Sequence, residues 1–218
     1  MSVRLIAFDV GEVLVDETRM WGEWADRLGV TRLTFAAALG AVIAARRHHR
    51  EVLEMLRPGF DLAAAWRELN PSAFAPDDLY PDAQRCLTRL RAAGYRVAIA
   101  ANQPAHRLAE LHGLGIDADL MASSEAWGIE KPAPEFFTRL IETASLPAEE
   151  IAYVGDRVDN DVLPARRAGM VAVFLRRGPW GVIQATWPDV GEADLRIESL
   201  DELPDALSRL TPARGGAP

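Results

Sequence analysis

The sequence has very little cysteine, no surplus of positive charge and no long hydrophobic segment. A single cysteine, Cys86, among 218 residues excludes an internal disulfide and a zinc site built on cysteines. The 24 Lys and Arg residues are outnumbered by 32 Asp and Glu residues, which gives a formal net charge of −8. Binding to nucleic acid or to an anionic membrane depends on clustered positive charge, so we expect neither partner.

The sequence also shows neither a membrane-spanning nor a secretory segment. The longest weakly apolar stretch, residues 35–45, falls far short of the ~20 residues that a spanning helix requires. The opening residues, MSVRLIAFDV, enter a strand-like segment directly and lack the features of a secretory signal. Because 49% of the residues are hydrophobic and 26% are charged, the composition is that of an ordinary globular protein. We therefore expect a cytoplasmic protein.

Short apolar segments rich in Val, Ile and Ala alternate with helical patterns along most of the chain. These segments lack a polar face, which is typical of strands in a parallel sheet that is covered on both sides. They are residues 3–8, 95–101, 151–154 and 171–175, with a weaker one at 119–122. Strands and helices that alternate with short connections predict an α/β fold, a doubly wound (Rossmann-like) parallel sheet.

The alternation stops between the first and second predicted strands. Residues 16–80 contain only helical patterns, the last of them at 61–69. A connection of this length inside a compact domain is expected to have structure of its own. We therefore predict a core of residues 1–15 and 81–210, a small helical cap of residues 16–80, and a disordered tail of residues 211–218.

Polar residues follow the ends of the predicted strands, where open parallel sheets bind their ligands. They are Asp9 after the first strand, Ala101 and Asn102 at the second, Lys131 beyond the third, and Asp156, Asp159 and Asp161 after the fourth. Because the strands are parallel, we expect these residues to share one edge of the sheet.

This set of residues favours one kind of chemistry. Carboxylates from separate strand ends repel one another, and Mg²⁺, which binds one or two carboxylates together with waters and phosphate oxygens, neutralises them. Lys131 stays charged beside such acids. A cation and an ammonium group together form a receptor for a phosphoryl group, and an aspartate in line with it can act as the nucleophile. The residues therefore predict Mg²⁺ as cofactor and phosphoryl transfer as the reaction.

The order DVGEV, a helical insertion, AIAAN, GIEKP and VGDRVDND resembles the haloacid dehalogenase-like hydrolase superfamily, in the subfamily with a helical cap after the first strand. The resemblance covers nearly the whole chain. It implies that Asp9 is the nucleophile and that Lys131 steadies both the nucleophile and the phosphoryl group. It also implies metal contacts from Asp9, the Gly11 carbonyl, Asp156 and Asp161, and phosphate contacts at Ala101, Asn102 and Lys131.

Two positions depart from the family pattern. The usual first motif has a second aspartate that acts as general acid and base, but here the residue is Gly11, which keeps a carbonyl and has no proton to donate. The usual Ser or Thr at the end of the second strand is Ala101. A positioned acid is commonly worth about 10²–10⁴ in rate, so its loss spares mainly those leaving groups that depart without protonation. Candidate replacement donors are Glu12, Glu17, His48 and His49.

The resemblance thus implies Mg²⁺-dependent hydrolysis of a phosphate monoester on a small metabolite, through an aspartyl-phosphate at Asp9. One alternative is a weakened or inactive protein that binds Mg²⁺ and a phosphate ligand, or a protein partner, without turnover. A less favoured alternative is hydrolysis of a 2-haloacid, because displacement of halide has no need of the acidic pair Asp156 and Asp161. No G-x-G-x-x-G motif follows the first strand, which argues against a dinucleotide-binding dehydrogenase.

Overall fold

The structure is a computed structural model that describes residues 3–59, 61 and 72–210. The described residues include six strands: β1 (Leu5–Phe8), β2 (Arg96–Ala101), β3 (Leu120–Ser123), β4 (Ile151–Gly155), β5 (Val171–Leu175) and β6 (Leu195–Ile197). All pair in parallel, in the order β3-β2-β1-β4-β5-β6. The chain runs outward from β1 in both directions, so the predicted doubly wound α/β fold is confirmed.

Ten α-helices lie among the described residues: α1 (Thr18–Leu28), α2 (Arg32–Ala44), α3 (Glu51–Leu56), α4 (Ala83–Ala92), α5 (Ala105–Gly113), α6 (Ser124–Trp127), α7 (Pro134–Ala144), α8 (Leu163–Arg167), α9 (Gly178–Gln184) and α10 (Leu203–Leu210). A π-type turn, Val158–Val162, leads directly into α8. Gly94 and Gly169 follow α4 and α8 with positive φ angles of 86° and 84°, a conformation that glycine adopts without steric cost.

Two hydrophobic layers cover the two faces of the sheet. Alternate residues of β1 supply both, since successive side chains of a strand point to opposite faces. Ile6 and Phe8 pack in the layer that holds α4 and α10, whereas Leu5 and Ala7 pack in the layer that holds α7 and α8. Cys86 lies in the first layer, where burial raises the pKa of its thiol to about 12. Cys86 is therefore a buried core residue with a protonated thiol.

Helices α1, α2 and α3 pack around a third hydrophobic cluster of their own, which includes Trp24, Phe35 and Val42. Trp180 of α9 joins this cluster from the core. None of the described residues between 16 and 80 belongs to a strand; Val15 and Leu79 form only an isolated bridge. The boundaries of the cap stay a prediction, and the helical pattern at 62–69 and the tail at 211–218 lie outside the described residues.

The sequence prediction missed β6, a three-residue strand with an exposed arginine at its centre. Among the described helices, none is long and apolar enough to cross a bilayer by itself. The pair α1 and α2, which bends through 108°, reaches that length and apolarity only when both helices are counted together.

Candidate active site

Four side chains converge where β1 and β4 end, together with the loop after β3. The Nζ atom of Lys131 lies 2.9 Å from Asp9 Oδ1 and 2.7 Å from Asp161 Oδ1. One carboxylate oxygen from each of Asp9, Asp156 and Asp161 lies within 4.8 Å of the others. The structure therefore brings together residues that the sequence supplies from three separate segments. Asp159, their neighbour, pairs with Arg157 instead.

Asp161 reaches this edge because a glycine leaves room for it. A Cβ atom on Gly155, the last residue of β4, would lie well inside 3.0 Å of the Asp161 carboxyl group. The backbone N–H of Arg157 donates to Asp161 Oδ2 at 3.1 Å, and the Asn160 amide donates to Asp161 Oδ1 at 3.3 Å. Gly155 and the π-type turn thus turn this carboxylate back toward the strand end and toward Lys131.

The loop that carries Lys131 is fixed by Asn102. The side-chain amide of Asn102 donates to the Lys131 carbonyl at 2.8 Å and accepts from the Lys131 backbone N–H at 2.8 Å. These two bonds hold the Asn102 side chain on the Lys131 loop, and the predicted phosphate contact of Asn102 stays a prediction. Ala101 is fully buried and packs in the first hydrophobic layer, and its predicted phosphate contact stays a prediction.

Tyr153 is a residue of this site that the sequence analysis missed. Its ring centroid lies 5.3 Å from Lys131 Nζ, and its hydroxyl donates to the Ala100 carbonyl at 2.6 Å. An aromatic residue with a polar tip inside an otherwise aliphatic strand was the available signal. Tyr153 thus places the face of an aromatic ring beside the ammonium group, within the second hydrophobic layer.

The charges of the cluster depend on one another. Burial by itself lowers the pKa of Lys131, but the carboxylates of Asp161 and Asp9 outweigh burial and raise this pKa well above its usual value. Burial raises the pKa of Asp161 to about 6, while the nearby Lys131 charge limits the rise. Burial, followed by the charges of Asp161 and Asp9, raises the pKa of Asp156 well above its usual value. The single positive charge of Lys131 therefore does not balance the three acids of the cluster.

A divalent cation fits this deficit. Three carboxylates face one ammonium group, and Asp156 Oδ2 is buried with no hydrogen-bond partner among the described residues. Hard oxygen donors of this kind suit Mg²⁺, and a bound cation would lower the raised pKa of Asp156. The residues that could hold the ion are Asp9, Asp156, Asp161 and the carbonyl of Gly11.

Glu17 lies beside Gly11. A Cβ atom on Gly11 would lie 2.5 Å from Glu17 Oε1, so the Glu17 carboxyl group fills the space next to this glycine. Burial, and then the charges of Glu12 and Asp9, raise the pKa of Glu17 to about 8. The indole N–H of Trp21 lies close to this carboxyl without the geometry of a regular hydrogen bond. Burial and the neighbouring acids thus favour the protonated form of the Glu17 carboxyl.

The other candidate donors have different surroundings. Glu12 is buried, with a positive φ of 56°; its Oε2 accepts from the Tyr80 hydroxyl at 2.6 Å and its Oε1 from the Glu17 backbone N–H at 3.2 Å. His48 and His49 stack with their ring centroids 4.4 Å apart. Burial, followed by the charge of His48, lowers the pKa of His49 to about 3, so this imidazole is neutral.

His49 belongs to an aromatic group that joins the three N-terminal helices to the core. Its ring meets Trp21 at 6.1 Å and Trp180 at 5.9 Å between centroids, and Trp21 and Trp180 meet at 5.9 Å. The Arg157 guanidinium lies over Trp180, 5.4 Å from the ring centroid. Trp180 lies in the segment GPWG, whose glycines and proline favour a turn, whereas the structure begins α9 at Gly178.

Comparisons with known proteins indicate the family of this chain. The family model described as haloacid dehalogenase-like hydrolase matches residues 3–169. Glyceraldehyde 3-phosphate phosphatase from Methanopyrus kandleri is 28% identical over 232 aligned positions, which cover 95% of this chain and 98% of that protein.

Two solved structures are similar in fold. A HAD phosphatase from Thermococcus onnurineus is 22% identical with a TM-score of 0.60, and the match covers 94% of this chain and 98% of that one. A 2-haloacid dehalogenase from Pseudomonas syringae pv. Tomato is 23% identical with a TM-score of 0.60, covering 96% and 100%. The similarity in fold does not distinguish between these two activities. The family model, however, matches most of the sequence, and this match establishes the family. The chain belongs to the haloacid dehalogenase-like hydrolase family.

Proposed function

We propose that this hydrolase is a Mg²⁺-dependent phosphatase that acts on a small phosphorylated metabolite beneath the cap of residues 16–80. One observation carries the proposal: Lys131 bridges Asp9 and Asp161 while Asp156 presents a buried, unpartnered oxygen beside them. An ammonium group and a cation site around one aspartate suit the charge of a phosphoryl group. The phosphatase relative from Methanopyrus kandleri supports the same assignment.

In the first step, a carboxylate oxygen of Asp9 forms a bond to phosphorus while the bond from phosphorus to the leaving oxygen breaks. The leaving oxygen takes up a proton and departs as an alcohol, and Asp9 carries the phosphoryl group. Lys131 holds Asp9 in place and can donate to a phosphoryl oxygen. Asp9, Asp156, Asp161 and the Gly11 carbonyl would hold Mg²⁺, which when bound would supply positive charge to offset the charge of the phosphoryl group.

In the second step, a water molecule attacks the phosphorus of the aspartyl-phosphate and gives up a proton. Inorganic phosphate leaves, and the Asp9 carboxylate is restored. Asp161 keeps Lys131 in position through both steps, since its Oδ1 accepts from Nζ at 2.7 Å.

A cytoplasmic location is part of the proposal and rests on the composition of the chain.

The excess of carboxylates favours phosphate over halide chemistry. Asp156 and Asp161 are both buried, and a site that displaces halide gains nothing from holding two further acids near its nucleophile. Phosphate chemistry with a divalent cation uses them. The phosphatase proposal is therefore preferred to hydrolysis of a 2-haloacid and to a binding protein without turnover.

The test is phosphate release, with Mg²⁺, from phosphate esters graded by the pKa of the leaving group. We expect Asp9→Asn to lower the rate by about 10⁴-fold or more, because an essential nucleophile is lost. Asp159→Asn is the matched control, since it changes a nearby acid that pairs with Arg157, and it should keep most of the activity. Full activity in Asp9→Asn, or metal-independent halide release from a 2-haloacid without phosphate release, would refute the proposal.

A further inference from the structure

The space beside Gly11 is filled by a carboxyl group from another residue. A Cβ atom on Gly11 would lie 2.5 Å from Oε1, 2.7 Å from Cδ and 3.0 Å from Oε2 of Glu17. All three atoms of the carboxyl group therefore lie where a side chain at position 11 would begin. A side chain at position 11 and Glu17 in its present place exclude each other.

The backbone around Glu17 fixes this arrangement. The Glu17 N–H donates to Glu12 Oε1 at 3.2 Å, and the Glu17 carbonyl accepts from the Trp21 N–H at 2.9 Å as α1 begins. The residue is 9% exposed, as is Asp9, and the charges of Glu17 and Asp9 act on each other. Glu17 is thus shielded from bulk water, yet it belongs to the surroundings of the nucleophile.

The neighbouring candidates are engaged elsewhere. Both oxygens of Glu12 accept hydrogen bonds, from Tyr80 and from the Glu17 backbone, and this side chain fills the space beside Gly178 at the start of α9. The His49 ring packs between Trp21 and Trp180. Among the candidate donors, Glu17 alone has its carboxyl group in the place of the missing side chain.

We propose that Glu17 is the general acid and base of this chain, and that its carboxyl group takes over the role of the side chain that residue 11 lacks. The inference rests on the phosphatase function proposed above. Glu17 immediately precedes α1, whereas Asp9 immediately follows β1, so the nucleophile and the acid would come from opposite sides of the boundary between core and predicted cap.

In this role Glu17 transfers one proton in each of the two steps. As the Asp9 oxygen bonds to phosphorus, the Glu17 carboxyl gives its proton to the leaving oxygen, which departs as an alcohol. The Glu17 carboxylate then takes a proton from the water that attacks the aspartyl-phosphate. Inorganic phosphate leaves, and both Asp9 and Glu17 return to their starting states.

Glu17→Gln tests this role, because glutamine keeps the shape and loses the transferable proton. With an alkyl phosphate, we expect kcat/KM to fall by about 10²–10⁴-fold. With an aryl phosphate whose leaving group is acidic, the first step should persist and the second should slow. The expected signs are a burst of phenol approaching one equivalent per enzyme and a phosphoryl adduct in the mass spectrum of the acid-quenched protein. Asp159→Asn, which changes a nearby acid that pairs with Arg157, is the control and should show neither sign.

A second pair of variants separates chemistry from folding. Gly11→Asp alone should gain nothing, because the new aspartate would displace the Glu17 carboxyl and exchange one acid for another. Gly11→Asp combined with Glu17→Ala should recover part of the alkyl phosphatase activity that Glu17→Ala loses. Equal losses of activity for every leaving group in Glu17→Gln, with no trapped adduct, would overturn the inference and leave an Asp9-dependent phosphatase standing. A wild-type protein inactive on every ester would overturn both proposals.

Discussion

Gly11 and Gly155 lie at or just beyond the ends of the neighbouring strands β1 and β4, and each leaves room for a carboxyl group from a residue six positions further on. Gly155 is followed by Asp161 and Gly11 by Glu17. Burial raises the pKa of both acids, but to different extents, to about 6 for Asp161 and to about 8 for Glu17. The two surroundings differ in the charges that face each carboxyl group.

Asp161 faces a cation, whereas Glu17 faces acids. The Lys131 ammonium group at 2.7 Å opposes the effect of burial on Asp161, while the charges of Glu12 and Asp9 add to the effect of burial on Glu17. Acids pushed apart in pKa by their surroundings commonly divide the tasks of a reaction site. A neighbouring glycine thus makes room both for Asp161, whose charge is offset by a lysine, and for Glu17, whose protonated form is favoured.

Removal of the Lys131 ammonium group should have the largest effect on stability, because it takes away the charge that distinguishes the surroundings of Asp161 from those of Glu17. Lys131 is the only lysine in the chain. In Lys131→Met, the carboxylates of Asp9 and Asp161 lose their partner, and breaking a buried ion pair costs about 3–5 kcal/mol in the free energy of unfolding. Urea denaturation of the metal-free protein measures this loss. A loss below about 1 kcal/mol would show that the cluster does not depend on Lys131.

The loss should also depend on pH. In the wild-type protein the pKa of Lys131 is raised well above its usual value, so its stabilising effect is present throughout the neutral range. In the variant, the folded-state pKa of Asp161 rises further above its unfolded value. Stability from such a group is complete below the unfolded pKa and is lost as the pH rises through the folded pKa. The variant should therefore lose more stability near pH 8 than near pH 5, and a loss that does not change with pH would contradict this account.

The charged cluster was predictable from the sequence, because the ends of parallel strands meet at one edge whatever the details of the loops. Asp9, Lys131 and Asp156 needed only the order of the strands. The place of Glu17 was not predictable, since the segment between Gly11 and α1 has no regular period and includes Glu12 with a positive φ. The hydrogen bonds between the Asn102 side chain and the Lys131 backbone were also not predictable, because they join two loops that lack regular structure.

Replacement of each glycine by alanine should sharpen the comparison, with smaller effects on the free energy of unfolding. On Gly155 the added methyl group would overlap the Cβ and Cγ atoms of Asp161, which cannot swing away without moving the backbone, so we expect Gly155→Ala to cost about 1–3 kcal/mol. On Gly11 it would meet only the carboxyl end of Glu17, which can rotate, and the cost should stay below about 1 kcal/mol. Urea denaturation compares the two, and equal costs would show that both carboxyl groups are held with equal rigidity.

The smallest effect is expected from Glu12→Gln, which changes one of the two like charges near Glu17. The glutamine oxygen can still accept from the Glu17 backbone N–H, but the amide nitrogen can only donate. The hydrogen bond from the Tyr80 hydroxyl to a carboxylate is therefore lost or reversed to a weaker one, and about 0.5–1.5 kcal/mol of stability should be lost. The pKa of Glu17 should fall below its value of about 8, because burial remains while one like charge is gone. Carboxyl ¹³C chemical shifts of the metal-free protein measure this pKa, with Glu198→Gln on the surface as the control. An unchanged pKa would mean that depth of burial alone distinguishes Glu17 from Asp161, and that the neighbouring acids have no part in keeping its proton.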